Sequence, residues 1–331
     1  LYHNNGDGTF RNVLNEVVPH TTWFSMGADV GDINNDGRLD FLISEMASTT
    51  HFMEKTTMGA MGSLFHLVKD SKPQQYMRNA LYLNTETQRF MEIAYLTGLA
   101  ESDWTWSVKL ADFDNDGRVD VFFSNGAARN STDSDLTGRG GSPNRSDVVG
   151  KHIWHFYRDL PARREHNLAF QNSGDFLFES VGAAWGLDHY GMSYGTATGD
   201  LDRDGDLDLV MVNLDEPVTV YRNQSPEGNR VLIALHGKRS NRYGLGARVR
   251  LKTDAEIQVR QLMPQTGFLS SNEPVVHFGL GPAEEIRELT VEWPSGITQR
   301  FEDLPVNRFF SVTEPASADP ATPKAEDPKR T

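Results

Sequence analysis

Three short segments of this chain place oxygen-bearing side chains at the first, third, fifth and ninth positions of a loop, with glycine at the sixth. They are Asp32-Ile-Asn34-Asn-Asp36-Gly37-Arg38-Leu-Asp40, Asp112-Phe-Asp114-Asn-Asp116-Gly117-Arg118-Val-Asp120 and Asp200-Leu-Asp202-Arg-Asp204-Gly205-Asp206-Leu-Asp208. Hard donors at alternate positions, a glycine permitting a sharp turn and a carboxylate wrapping back suit an oxygen-coordinated cation such as Ca2+. Each copy runs into an apolar stretch (Phe41-Leu-Ile43, Val121-Phe-Phe123, Leu209-Val-Met211). An EF-hand needs Glu at loop position twelve and a following helix; here that position holds Ile43, Phe123 and Met211. The other reading is an acidic turn without metal, in which three or four carboxylates crowded in one loop would repel each other strongly.

The formal charge of −14 follows largely from these loops, whose eleven liganding Asp would, with three bound Ca2+, leave −8. Such acidity argues against a nucleic-acid partner. There is no cysteine, so disulfides and thiolate metal sites are excluded. No run of 18 apolar residues predicts a membrane-spanning helix. Loops of this type suit millimolar calcium, so the expected location is extracellular or cell-surface, or periplasmic. No signal peptide is visible, but the chain opens at Leu1 inside a repeat, so that carries no information.

The first aspartates lie at 32, 112 and 200, a spacing of 80 and then 88 residues, as for a repeated blade. A second element recurs with them: Leu1-Tyr2-His3-Asn4, Leu81-Tyr82-Leu83-Asn84, Ala169-Phe170-Gln171-Asn172 and Val220-Tyr221-Arg222-Asn223. In the first three, Phe10, Phe90 and Phe178 follow six residues after the Asn, and Val13, Ile93 and Val181 three later. Asn5-Gly-Asp-Gly8 and Ser173-Gly-Asp175 are hairpin turn chemistry. Each unit reads as four antiparallel strands: one before the loop, one after it, and a hairpin outside. The expected fold is all-β, a partial β-propeller of four-stranded blades. Small residues before each loop (Gly27, Ser107, Gly195) read as inner-strand packing.

These motifs resemble the FG-GAP/VCBS repeats of calcium-binding propellers, found in integrin α-chains and secreted bacterial proteins, over residues 1–225. The resemblance implies side-chain ligands Asp32, Asn34, Asp36 and Asp40, then Asp112, Asp114, Asp116 and Asp120, then Asp200, Asp202, Asp204 and Asp208. The carbonyls of Arg38, Arg118 and Asp206 would complete about three Ca2+ sites. Asn34 replaces an Asp, so the first site should be the weakest. Three loops and an orphan hairpin cannot close a ring, so the propeller is expected to be N-terminally incomplete.

From Arg230, short alternating strands (231–235, 247–251, 257–259, 275–278, 289–293) separated by turn signals predict a small β-sandwich or barrel. Ser240-Asn-Arg-x-Gly-x-Gly246-Ala, Gly267-Phe-Leu-Ser-Ser271, His277-Phe-Gly-Leu-Gly281 and Glu292-Trp-Pro-Ser-Gly296 resemble the ASPIC/UnbV domain over 230–313. Propeller repeats followed by this module are similar to the cartilage acidic protein family and its bacterial relatives, which defines architecture more firmly than activity. Residues 315–331, with four Pro, read as a disordered tail.

The third unit passes from Asp208 to Asn223 in 15 residues, against 44 and 52 in the first two, which therefore carry insertions of about 29 and 37 residues. Topology puts both on the face opposite the loops, where recognition concentrates on a rigid scaffold. The first insertion holds Met46, Met53, Met58, Met61 and Met77, read mainly as packing. The second is basic and aromatic; His152, Trp154, His155, Tyr157, Arg158 and Arg163 are its candidate ligand-binding residues. Replacing 126–165 by a turn is expected to cost little stability. The chain reads as a non-enzymatic adhesion or recognition scaffold for a protein or glycan ligand at a surface or matrix. The alternatives are a carbohydrate-active enzyme using the 126–165 insertion, and a structural subunit of a surface assembly; no nucleophile-elbow, zincin or phosphate-loop spacing supports an enzyme.

Overall fold

The computed structural model describes residues 1–57, 71–133, 135–136, 158–225 and 228–316. The fold is all-β. A hairpin of β1 (Tyr2–Asn4) and β2 (Phe10–Asn12) comes first, then β3 (His20–Thr22). The first full sheet contains β4 (Ala28–Gly31), β5 (Asp40–Ile43), β7 (Ala80–Asn84) and β8 (Phe90–Glu92); β6 (Gln74–Tyr76) pairs in parallel with β3. The second contains β9 (Thr105–Ala111), β10 (Asp120–Asn125), β12 (Leu168–Gly174) and β13 (Leu177–Ser180), with β11 (Glu165–His166) pairing β14 (Tyr190–Gly191) beside it. The third contains β15 (Ser193–Gly199), β16 (Asp208–Asn213) and β17 (Thr219–Tyr221). In the first two sheets order and antiparallel pairing are those read from the sequence: inner strand, loop, second strand, outer hairpin; the third departs from the expected four strands and has, among the described residues, the single outer strand β17.

The sheets stack face to face, which explains why β10 is buried at all six residues. Alternate side chains leave a strand on opposite faces. Val121 and Phe123 therefore join Leu42, Leu81 and Val108 in the core between the first and second sheets, while Phe122 joins Leu209 and Met211 between the second and third. Inner strands converge closely: a Cβ on Gly27 would lie 2.5 Å from the Trp106 carbonyl oxygen, so only glycine fits there.

Seven strands follow: β18 (Asn229–His236), β19 (Arg248–Lys252), β20 (Ile257–Gln261), β21 (Val275–Gly281), β22 (Glu285–Glu292), β23 (Thr298–Pro305) and β24 (Arg308–Thr313). They form two sheets, β21-β18-β24 and β20-β19-β22-β23, around a core including Ile233, Val249, Leu251, Phe278, Leu289, Val291 and Phe310. Sequence alternation marked five of these strands and missed β23 and β24. The second of them pairs in parallel with β18, Val231 against Arg308, across a long separation that no local turn signal marks.

The segment between β20 and β21 enters the channel formed by the three inner strands. Gly267 donates its amide to the Ala28 carbonyl (2.8 Å), Phe268 to Ser107 Oγ (3.2 Å) and Glu273 to the Thr198 carbonyl (3.0 Å). Lys109, buried, donates through Nζ to the Thr266 carbonyl (3.0 Å) and to Asn272 Oδ1 (2.8 Å). Burial pushes Asp29, on the neighbouring inner strand, up to about 6 and Lys109 down to about 8, each pulled back by the other's charge. The Gly267–Ser271 motif is thus a plug through the blades.

Glu314 closes the sandwich end. Its buried carboxylate accepts the amides of Lys238, Arg239 and Ser240 (2.7 Å each) and the hydroxyls of Ser240 and Ser295. Burial alone would raise its pKa, but the hydrogen bonds from Ser295 and the three amides outweigh that and hold it down to about 2, against an ordinary 4.5. A depressed folded-state pKa stabilises fully above the unfolded value and is lost as pH falls through the folded one. Glu314→Gln should therefore lower the thermal midpoint by several degrees at pH 7 and flatten the acid limb of a stability–pH curve between 4.5 and 2; an unchanged acid limb would contradict this role.

Candidate metal centres

The ninth aspartate is held identically in all three loops. One oxygen accepts the amide of position two (Ile33 to Asp40, 2.9 Å; Phe113 to Asp120, 3.0 Å; Leu201 to Asp208, 2.8 Å). The other accepts the amide of the Asn in the aromatic-x-Asn element (Asn84, 2.7 Å; Asn172, 2.9 Å; Asn223, 2.8 Å). The first aspartate caps the turn by accepting the glycine amide, from Gly37 (2.9 Å), Gly117 (2.9 Å) and Gly205 (3.1 Å). These amide bonds draw the carboxylates inward.

Carboxylate oxygens of Asp112, Asp114 and Asp116 lie within 4.8 Å of one another, as do those of Asp200, Asp202 and Asp208. Asp112 is 2% exposed, and its Oδ1 has no hydrogen-bond partner. Burial pushes Asp112 up to about 7, with Arg260 opposing and Asp116 and Asp114 adding. Burial likewise pushes Asp40 up to about 7 and holds Asp120 well above its ordinary value. A buried carboxylate oxygen left open among like charges fits an oxygen-coordinated divalent cation. Positions one, three, five and nine would hold it, and its chemistry there is charge compensation. In the first loop Asn34 Nδ2 donates to Asp36 Oδ2 (3.0 Å), and among the described residues no carboxylate trio forms there.

The loops are also tied to each other. Asn35 Nδ2 donates to the Gly117 carbonyl (3.0 Å), and Asn115 Nδ2 to Asp206 Oδ1 (2.9 Å). Asn172 Nδ2 reaches back to the Ile33 carbonyl (3.0 Å), and Asn223 Nδ2 to that of Phe113 (2.6 Å). The sandwich adds one arginine to each loop: Arg248 donates to the Gly37 carbonyl, Arg260 to that of Gly117 (3.4 Å) and Arg230 to that of Asp204 (2.5 Å). Arg230 Nε also pairs with Asp206 Oδ1 at 2.9 Å. Sequence reasoning missed these arginines, which no spacing marks. The repeated Asn was visible but read only as part of a hairpin.

On the opposite face the insertions meet: Arg163 Nη1 donates to Thr57 Oγ1 (3.0 Å). Arg163 corrects the expectation for this region. It is 4% exposed, paired with Glu165 and stacked over Trp104 at 5.2 Å, so it is internal packing and unavailable to a ligand. Ala127 and Arg163 also exchange both backbone hydrogen bonds, so residues 126–165 cannot be removed without cost. Arg158 is exposed and paired with Asp159 (2.8 Å). His152, Trp154, His155 and Tyr157 lie outside the described residues, as do Met58 and Met61.

Stacked sheets with acidic loops and a plugging sandwich define the class. An FG-GAP-like repeat model matches residues 1–43 and 71–123, and an ASPIC and UnbV model matches 237–319. The chain carries FG-GAP-like repeats followed by an ASPIC and UnbV domain. It is similar to "Cartilage acidic protein 1" of Xenopus tropicalis, 26% identical over 97% of this chain and 42% of that protein. The Homo sapiens protein of the same name is 27% identical over 96% of this chain and 41% of its own length. The chain thus spans about two fifths of the curated relatives it matches. No described helix is long and apolar enough to cross a membrane.

Removing the Asn172 side chain would orphan the Ile33 and Val119 carbonyls and loosen two adjacent loops. Asn172→Ala is expected to destabilise by about 1–3 kcal/mol, read as a lower denaturation midpoint; a change confined to surface-mutation noise would rule out the link.

Proposed function

We propose that this chain is a calcium-stabilised extracellular recognition scaffold that contacts a protein or glycan ligand through the insertions. The carrying observation is the asymmetry of its two faces. Loop carbonyls on one face accept from Arg248, Arg260 and Arg230, whereas the described parts of both insertions and the plug tip gather on the other. Leu269 at that tip is 93% exposed, and Phe268 packs on Trp106 (4.8 Å), itself stacked on Tyr194 (4.7 Å). Aromatic and apolar groups at a channel mouth suit partner contacts. The cartilage name of the relatives supports an extracellular-matrix setting.

Two measurements test this reading. Binding to an immobilised panel of glycans and matrix proteins should vanish when residues 134–157 are replaced by a short Gly/Ser turn, with thermal stability kept; unchanged binding would move the site elsewhere. Chelation should lower the melting temperature, since a site at tenfold excess of calcium over Kd contributes about 1.4 kcal/mol. Asp112→Asn should reduce that difference more than Asp32→Asn. A midpoint indifferent to EDTA would reject the structural calcium.

A further inference from the structure

All three inner strands and the plug meet at one buried cluster to which recognition at the insertion face gives no part. Asp29 stands on β4, Lys109 on β9 and Thr198 on β15, while Thr266 and Asn272 belong to the plug. Gly267, at positive φ, lets the plug come this close: a Cβ there would lie 2.3 Å from Ser107 Oγ and 3.2 Å from Lys109 Nζ. Lys109 Nζ donates to Asn272 Oδ1 at 2.8 Å, and the Thr198 amide donates to the same oxygen at 3.1 Å. Thr266 Oγ1 accepts from Lys109 Nζ (3.0 Å) and from Asn272 Nδ2 (3.2 Å), and its hydroxyl donates to the Asp29 carboxylate. A desolvated amine, a carboxamide polarised through its oxygen and a hydroxyl leading to a buried acid are the parts an acyl transfer needs.

We propose that Lys109 and Asn272 join in an intramolecular isopeptide bond that welds the plug to the second sheet. Lys109 first passes one proton through the Thr266 hydroxyl to Asp29. The freed Nζ lone pair attacks Asn272 Cγ, and the negative charge that gathers on Oδ1 is met by the Thr198 amide. Collapse re-forms the carbonyl and breaks the Cγ–Nδ2 bond. Nδ2 leaves as ammonia, carrying the second proton that Nζ gives up, relayed by Thr266, while Asp29 keeps the first. No oxidant or co-reactant is required. Burial supports the first transfer, since it raises Asp29 to about 6 and lowers Lys109 to about 8, closer to each other than in water. A cavity of about 120 Å3 bordered by Asp29, Thr198 and Asn272 gives the ammonia room to depart. The chain has no cysteine and hence no disulfide. A link from residue 109 to residue 272 would close a long loop and restrict the unfolded chain in the same way.

Intact-mass spectrometry of the whole chain tests this. The folded protein should be lighter than its sequence dictates by one ammonia, about 17 Da, and a proteolytic digest should contain the Lys109 peptide joined to the Asn272 peptide. Lys109→Arg should show the full mass, and so should Asp29→Asn when circular dichroism reports it folded. A wild-type chain of full mass overturns the proposal, and that measurement decides even where a variant fails to fold. A loss of ammonia that survives Lys109→Arg also overturns it, because the loss then arises without the amine, as in a succinimide at Asn272-Glu273. A folded Asp29→Asn chain that still forms the link overturns the proton relay.

Discussion

One buried aspartate per repeat, the ninth of each loop, joins three parts of the fold: its own loop, the strand it begins, and the outer hairpin whose Asn amide it accepts. Two neutral amides position that carboxylate without matching its charge. Asp120 is fully buried beside Asp112 and Asp114, and its pKa is pushed well above the ordinary range by burial first and by those neighbours next. A buried charge among like charges needs a countercharge. Arg260 supplies part of it from the sandwich, to the neighbouring Asp112, and in the reading proposed here a divalent cation supplies the rest.

That requirement propagates because the loops are not independent. Asn35 and Asn115 run from one loop to the next, while Asn172 and Asn223 run back, so a loop that loosens releases hydrogen bonds in its neighbour. The sandwich then locks the set with three arginines and a plug. Because these contacts tie the loops to one another and to the sandwich, a cation there would act on architecture, and in the reading proposed above recognition falls to the other end of the channel.

Local features were legible in the sequence. Loop spacing, the apolar stretch of β10 and the turns after Asn4 and Asn172 marked the strand order within the first two sheets, since turn chemistry acts over a few residues. What the sequence hid was long-range. Nothing in Arg230, Arg248 or Arg260 distinguishes them from solvated arginines until the sandwich is placed on the loops. Arg163 carried the opposite error: a basic residue in a basic insertion read as exposed, yet it is stacked on Trp104 and paired with Glu165. Fully paired buried arginines leave no mark in composition.

The Gly residues of the His277-Phe-Gly-Leu-Gly281 motif show why the two parts of the chain carry their signatures together. A Cβ on Gly279 would collide with the Asp112 carboxylate and with the Asn115 backbone. Gly228, at positive φ before β18, would place one 2.5 Å from the Asn115 carbonyl oxygen. Both glycines are therefore conditions for seating the sandwich on the second loop. Gln258 completes the contact: its Nε2 donates to the Gly279 carbonyl at 2.7 Å, beside Arg260, which follows two residues later on the same strand. A motif that reads as belonging to the C-terminal module alone is shaped by the loop of another repeat, so the acidic loops and the glycines of the sandwich constrain one another.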